Sequence, residues 1–274
     1  MIDMHKLGMM AAACGFVSIG LLAAPARPAE TEVDVELILA VDVSRSMDAA
    51  ELQIQREGYI AAFRHPEVIA AIRSGYTGRI AATYFEWAGP GSQEIVVPWM
   101  LIDEAASADA FAGRIRPGTG IGRYGTSLSS SLTFAAGLFR DNGFAGGRRV
   151  IDVSGDGANN TGPPLGPARD RAVAQGVTIN GLPIMIHADD ANDPFGITNL
   201  GDYYRDCVIG GAGAFTLPVY EVGEFEVAIR RKIIQEISLG RPRAVFVADV
   251  PSPSRRGSCG PGEPWRLPDP PRPR

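Results

Sequence analysis

From residue 33 to 239 the chain alternates short unbroken apolar runs with stretches whose apolar residues recur every three or four positions. The first run, Glu36-Leu-Ile-Leu-Ala-Val-Asp42, is rich in Val, Ile and Leu, the pattern of a strand buried on both faces. It breaks into the polar Asp42-Val-Ser44-Arg45-Ser46-Met-Asp48. Over 49–63, Leu52, Ile54, Tyr59, Ile60 and Phe63 then form a helical face. His65-Pro66 ends that helix, and 68–72 adds a short helical piece. The runs 79–87 and 93–101 are strand-like, and Gly89-Pro90-Gly91 between them predicts a hairpin. Residues 107–115 read as a short helix with Ser107 as its N-cap.

A glycine-rich loop over 117–125 precedes a small-residue helix over 127–140. The strand 150–153, the helix 166–175 and the strand 177–186 follow, and 192–207 is less regular. A short strand over 214–219 leads to a final amphipathic helix over 222–239. That helix has Phe225, Ile229, Ile233 and Ile237 on one face and Gly240 as its cap. Strands alternating in this way with helices predict an α/β protein, a Rossmann-like, doubly wound, mostly parallel sheet with helices on both faces.

The two ends depart from this pattern. Lys6 precedes the apolar run 7–24, and Ala24-Pro25-Ala26 offers a small-residue cleavage site, so 1–26 is expected to be a secretory signal peptide. From Arg241 the chain is rich in Pro and Arg, and 241–274 is expected to be a disordered tail. The folded domain is therefore expected over 27–240, in an exported protein that is periplasmic or secreted. No apolar run after residue 30 reaches the length of a spanning helix, so the mature chain is expected to lack a transmembrane segment.

Composition changes the picture in two places. The net charge is −5 while the tail alone carries seven Arg against three acids, so the body is more acidic still, which argues against nucleic acid as a partner. Of three cysteines, Cys207 and Cys259 remain after the expected cleavage. In an oxidising compartment they could pair, and a free or intermolecular thiol is equally open.

The chemistry gathers at strand ends. Asp42, Ser44 and Ser46 are delivered at the carboxyl end of the first strand, where open α/β sheets place their ligands. Carboxylate and hydroxyl oxygens suit Mg²⁺ or Mn²⁺ and do not suit a soft metal. Turn and N-cap duty before a helix accounts for the same residue types. Two later segments bear on the choice: Gly125-Thr126-Ser127, and the strand end Val150-Ile-Asp-Val-Ser154-Gly155-Asp156-Gly157.

An Asp-x-Ser-x-Ser, then a loop Thr, then a strand-terminal Asp-Gly, in that order, resembles the metal-ion-dependent adhesion site of von Willebrand factor A domains. The resemblance spans about residues 33 to 239, and 208–215 with 177–182 further resembles a bacterial von Willebrand A-like family of unknown function. It implies that Asp42, Ser44, Ser46, Thr126 and Asp156 converge on one divalent cation, Mg²⁺ or Mn²⁺. It also implies an antiparallel edge strand, which 93–101 would supply. The implied function is an adhesion or scaffolding module and not an enzyme. Its partner would be an unidentified protein ligand that supplies a carboxylate from Asp or Glu to complete the cation's octahedron.

Other motifs were weighed against this. Gly120-x-Gly122-x-x-Gly125 does not follow a strand, and Gly120-x-x-x-x-Gly125-Thr126 lacks the lysine of a phosphate-binding loop. The alternative to a binding module is a metal-dependent, phosphatase-like hydrolase on the same site, with Asp48 or His187 as proton acceptor. Glu86 and Trp87 end their strand at the same rim and are expected either to shape a binding surface or simply to end it. Asn159 is expected to hydrogen-bond near Asp156 or to hold its own turn.

Overall fold

The computed structural model describes residues 29–116, 124–186, 199–238 and 259. The expected signal peptide, most of the glycine-rich loop, His187, Gly240 and all of the expected tail except Cys259 lie outside the described residues. Five strands form one sheet in the order β3-β2-β1-β4-β5: β1 (Thr31–Asp42), β2 (Ile80–Trp87), β3 (Gln93–Ile102), β4 (Phe144–Gly155) and β5 (Val177–Pro183). β1 pairs in parallel with β2 and β4, β4 pairs in parallel with β5, and β3 runs antiparallel on the edge beside β2. The α/β, doubly wound architecture and its antiparallel edge are thus those expected.

Helices cover both faces. One apolar layer packs Val35, Leu37, Leu39 and Val41 of β1 against α1 (Ala49–Arg64), α3 (Ala105–Ala112) and α7 (Phe225–Ser238), with α2 (Pro66–Arg73) at its border. The other packs Ile38, Ala40, Ile151 and Val153 against α4 (Leu128–Leu138), α5 (Leu165–Ala174) and α6 (Leu200–Tyr203). β1 contributes to both layers because its side chains alternate between faces. Phe225, Ile229, Ile233 and Ile237 are all buried, as the helical period of α7 requires. No helix among the described residues is long and apolar enough to cross a membrane.

Three local expectations are corrected. Ser107 is not an N-cap: α3 begins at Ala105, and the Ser107 hydroxyl folds back to accept from the backbone N–H groups of Asp103 and Glu104 at 3.0 and 3.1 Å. The stretch 214–219 forms no strand, only isolated parallel bridges to Gly181 and Ile184 beside β5. Within 192–207, residues 200–207 fold as α6 followed by a π-helical turn, Tyr204–Val208. Of the alternatives left open for the cysteines, the structure has the pair: Cys259 is disulfide-bonded to Cys207 of that turn.

A charged cluster lies inside the α7 layer. Lys232 is fully buried, with Nζ 2.5 Å from Asp152 Oδ1 on β4 and 2.5 Å from Glu236 Oε1 one helical turn on. Asn180 Nδ2 of β5 donates to the same Glu236 oxygen at 3.0 Å. Burial first, then repulsion from Asp152, raises the Glu236 carboxyl from its ordinary 4.5 to about 7 against the pull of Lys232. The folded state therefore holds this proton where the unfolded chain has lost it. The contribution is complete below about 4.5 and disappears as pH rises through about 7, removing about 3 kcal/mol. Denaturant melts across that range are expected to show this decline, and Glu236→Gln is expected to flatten it. An unchanged slope in the variant would assign the decline to other groups.

Candidate metal centre

The five oxygen-bearing residues picked out in the sequence come together at the carboxyl edge of the sheet. Asp42 is the last residue of β1 and is fully buried. Its Oδ1 accepts from the backbone N–H of Ser44 at 2.7 Å, which folds the chain back over the strand end. Asp42 Oδ2 is buried, with no hydrogen-bond partner among the described residues. The Ser44 and Ser46 hydroxyl oxygens lie 3.0 Å apart, Thr126 Oγ1 is 3.5 Å from Ser44 Oγ, and Ser46 Oγ donates to Asp156 Oδ1 at 2.7 Å. Three hydroxyls and the Asp156 carboxylate thus form a chain of oxygens that the Ser44 N–H joins to Asp42.

Each member is held by backbone that fits its residue. Gly125 has φ +81°, a left-handed conformation that glycine adopts freely, and it turns the chain to present Thr126. Asn160 then locks Thr126 reciprocally: its side chain accepts from Thr126 N at 2.8 Å and its own N–H donates to Thr126 O at 3.0 Å. Gly155 allows a close approach. A Cβ there would sit 2.7 Å from Asp42 Oδ2 and 2.8 Å from the Tyr204 hydroxyl. Below the site Gln55 of α1 ties two strands, donating to Asp42 O at 3.2 Å and accepting from Ser154 Oγ at 2.8 Å.

The two carboxylates at this edge repel one another. Burial first, and Asp156 second, push the Asp42 carboxyl well above its ordinary range. Tyr204 is pushed up by burial and by the same two carboxylates. A divalent cation among these oxygens would relieve the repulsion and give the orphaned Asp42 Oδ2 a partner, directly or through water. The donor set is all hard oxygen. No cluster of three or more His, Cys, Asp or Glu is present among the described residues.

Other nominated residues have different duties. Asp48 caps α1, its Oδ1 accepting from Ala50 N and Glu51 N, while Glu51 reaches back to Asp48 N. Glu86 and Trp87 do not shape a surface. Glu86 is buried and paired with Arg56 at 2.8 Å, and the Trp87 ring is fully buried in the α4 layer. Asn159 holds its turn and the start of α4, accepting from Ser129 N and donating to Pro163 O. Tyr204 was missed, because its segment has no helical or strand period to mark it as buried.

Residues 32–240 match the family model described as "Protein of unknown function (DUF1194)". No curated protein matches the chain in sequence. Among solved structures the chain is similar to proximal thread matrix protein 1 of the mussel byssus, described with a zinc-occupied MIDAS motif, at 14% identity and TM-score 0.55. It is also similar to a von Willebrand factor type A protein from Catenulispora acidiphila (14%, 0.50) and to the pilus adhesin SpaC of Lactobacillus rhamnosus GG (13%, 0.53). These matches cover 76%, 75% and 75% of this chain but only 49%, 43% and 30% of the others, so the chain spans half or less of each. At such identities the likeness is one of fold.

Proposed function

This chain belongs to the family described as protein of unknown function DUF1194 and is a von Willebrand A-like domain, and we propose that it is an exported protein-binding module that holds its partner through a divalent cation. One observation carries the reading: three hydroxyls and two carboxylates from separate segments meet at the sheet edge, and one buried carboxylate oxygen there has no hydrogen-bond partner among the described residues. Asp42, Ser44, Ser46, Thr126 and Asp156 would hold the cation, Mg²⁺ or Mn²⁺ by the hardness of the donors. The bound cation supplies an electrophilic position for a carboxylate oxygen from Asp or Glu of a partner protein. The chain's own part is to orient the donors through the Ser44 N–H, Asn160 and Gln55 contacts, and to keep water from Asp42 by burial.

A binding role is favoured over hydrolysis by the fate of Asp48, whose carboxylate is committed to the α1 cap. The similar structures include a byssus matrix protein and a pilus adhesin. Export is supported by the disulfide, since such bonds persist in oxidising compartments. On this reading 1–26 is a signal peptide, 27–240 the binding domain and 241–274 a Pro/Arg-rich tail.

Thermal unfolding of the full chain in EDTA, Mg²⁺, Mn²⁺, Ca²⁺ and Zn²⁺, beside Ser44→Ala/Ser46→Ala, tests the site. A cation held only by the folded state adds roughly 2.7 kcal/mol at about 100 times its dissociation constant. Stabilisation by Mg²⁺ or Mn²⁺ that vanishes in the variant is expected. A protein indifferent to every cation, or a variant that responds as the parent does, would overturn the reading.

A further inference from the structure

The Asp-x-Ser-x-Ser turn carries an arginine between its two serines, and that arginine is fully displayed. Arg45 is exposed, its guanidinium carbon lies 4.8 Å from the centre of the Tyr124 ring, and its Nη1 donates to the Tyr124 hydroxyl. Tyr124 is itself 78% exposed, two residues before Thr126. Its ring does not hang on a loose backbone. The carbonyl of Tyr124 rests against Gly89, where a Cβ would come within 2.4 Å of it, and Ser127 N donates to Ala88 O at 3.0 Å. The β2–β3 hairpin therefore braces the segment that holds the ring, and the ring holds Arg45.

With one Nη1 hydrogen given to the Tyr124 hydroxyl, the stacked guanidinium keeps its other in-plane N–H groups for a planar bidentate acceptor. Among the described residues no carboxylate pairs with Arg45, whereas exposed Arg64 and Arg205 are paired with Asp109, Asp202 and Asp206. Charge balance points the same way. Asp42 and Asp156 match a divalent cation, so Arg45 stands at the rim as positive charge beyond what the site's own acids neutralise.

We propose that Arg45 and Tyr124 form a second anion subsite beside the cation, and that the partner is a protein segment bearing two acidic side chains, one for the cation and one for Arg45. This rests on the metal-dependent reading above and deepens it. A single carboxylate satisfies only the cation. A second, placed one to three residues away along the segment, gains a charge-assisted pair whose rim position favours fast, salt-sensitive capture. The ring, with its stacked cation, also gives the intervening backbone a flat surface to lie on.

The test is a chemical-shift titration of the full chain in excess Mg²⁺ with acetylated, amidated peptides. Acetyl-Gly-Asp-Gly-Gly-amide supplies one carboxylate. Peptides with adjacent Asp residues, or with one or two Gly between them, supply two. At the best spacing the two-Asp peptide is expected to bind roughly tenfold more tightly than the one-Asp peptide, the effect of one added charge-assisted pair. Arg45→Gln is expected to erase that advantage, to leave one-Asp binding unchanged, and to retain the Mg²⁺ thermal shift; Tyr124→Ala is expected to erase part of it. Equal affinities for one and two Asp in a protein that still shows the Mg²⁺ shift would overturn this inference and leave the metal reading standing. So would an advantage that survives Arg45→Gln. A parent chain with neither Mg²⁺ shift nor Mg²⁺-dependent peptide binding would remove both.

Discussion

Lys232→Met is expected to destabilise the folded protein by about 3–5 kcal/mol at mildly alkaline pH, the largest loss of any single substitution considered. The methionine fills nearly the same space, so the loss is not one of packing. It arises because Asp152 and Glu236, both buried, keep their places while the Lys232 cation that both contact disappears. Even with Lys232 present, Asp152 Oδ2 and Glu236 Oε2 have no hydrogen-bond partner among the described residues. Two unpaired carboxylates in such a site must take protons or the layer must open. The loss should therefore shrink as pH falls, since protonation then costs little, and urea melts at several pH values read this directly. The triple substitution Lys232→Met/Asp152→Asn/Glu236→Gln should recover most of the stability, because an unbalanced cluster is worse than a neutral one. A loss below about 1 kcal/mol in Lys232→Met at mildly alkaline pH would mean that the carboxylates already share a proton there.

The contrast between this cluster and the oxygen cluster at the sheet edge shows what sequence can carry. Asp42, Ser44, Ser46, Thr126 and Asp156 announce themselves because each sits where an apolar run or a glycine turn stops, so their place at the carboxyl edge follows from local pattern. The hairpin was legible for the same reason, its Gly-Pro-Gly tip standing between two strand-like runs. Lys232 and Glu236 share a helical face with Ile229 and Ile233, and in sequence they read as ordinary members of an amphipathic α7. Only the register of β4 against β5, which brings Asp152 and Asn180 side by side, makes them a buried cluster. β4 proved longer than its apolar run because its first half is hidden by glycines. Gly146 lacks a side chain where Glu36 fills the space, and the Gly146 N–H donates to Glu36 Oε1 at 2.7 Å. The stretch 214–219 fell short for the opposite reason: its composition suits a strand, but its backbone meets β5 only at separate points.

Removing the disulfide joins stability to the site. Cys207 and Cys259 are 52 residues apart in sequence, and closing a loop of that length restricts the unfolded chain by about 4 kcal/mol. Cys207→Ala/Cys259→Ala is therefore expected to unfold about 4 kcal/mol more easily, and reductant is expected to bring the parent to the same midpoint. The effect should also reach the cation. Cys207 lies in the π-helical turn that begins with Tyr204, and the Tyr204 hydroxyl and Asp42 Oδ2 press on the same side of Gly155. A turn released from its tether lets Tyr204 withdraw and admits water to a carboxylate whose burial sets its geometry. The Mg²⁺ concentration needed for half-maximal stabilisation should then rise several-fold in the double variant. Tyr204→Phe separates the two effects. It keeps the ring and the disulfide but removes the hydroxyl beside Asp42, so it should weaken Mg²⁺ binding while leaving most of the stability. Unchanged Mg²⁺ affinity in both variants would show that Asp42 is held by the Ser44 N–H and by α1 alone, with the disulfide confined to stabilising the fold.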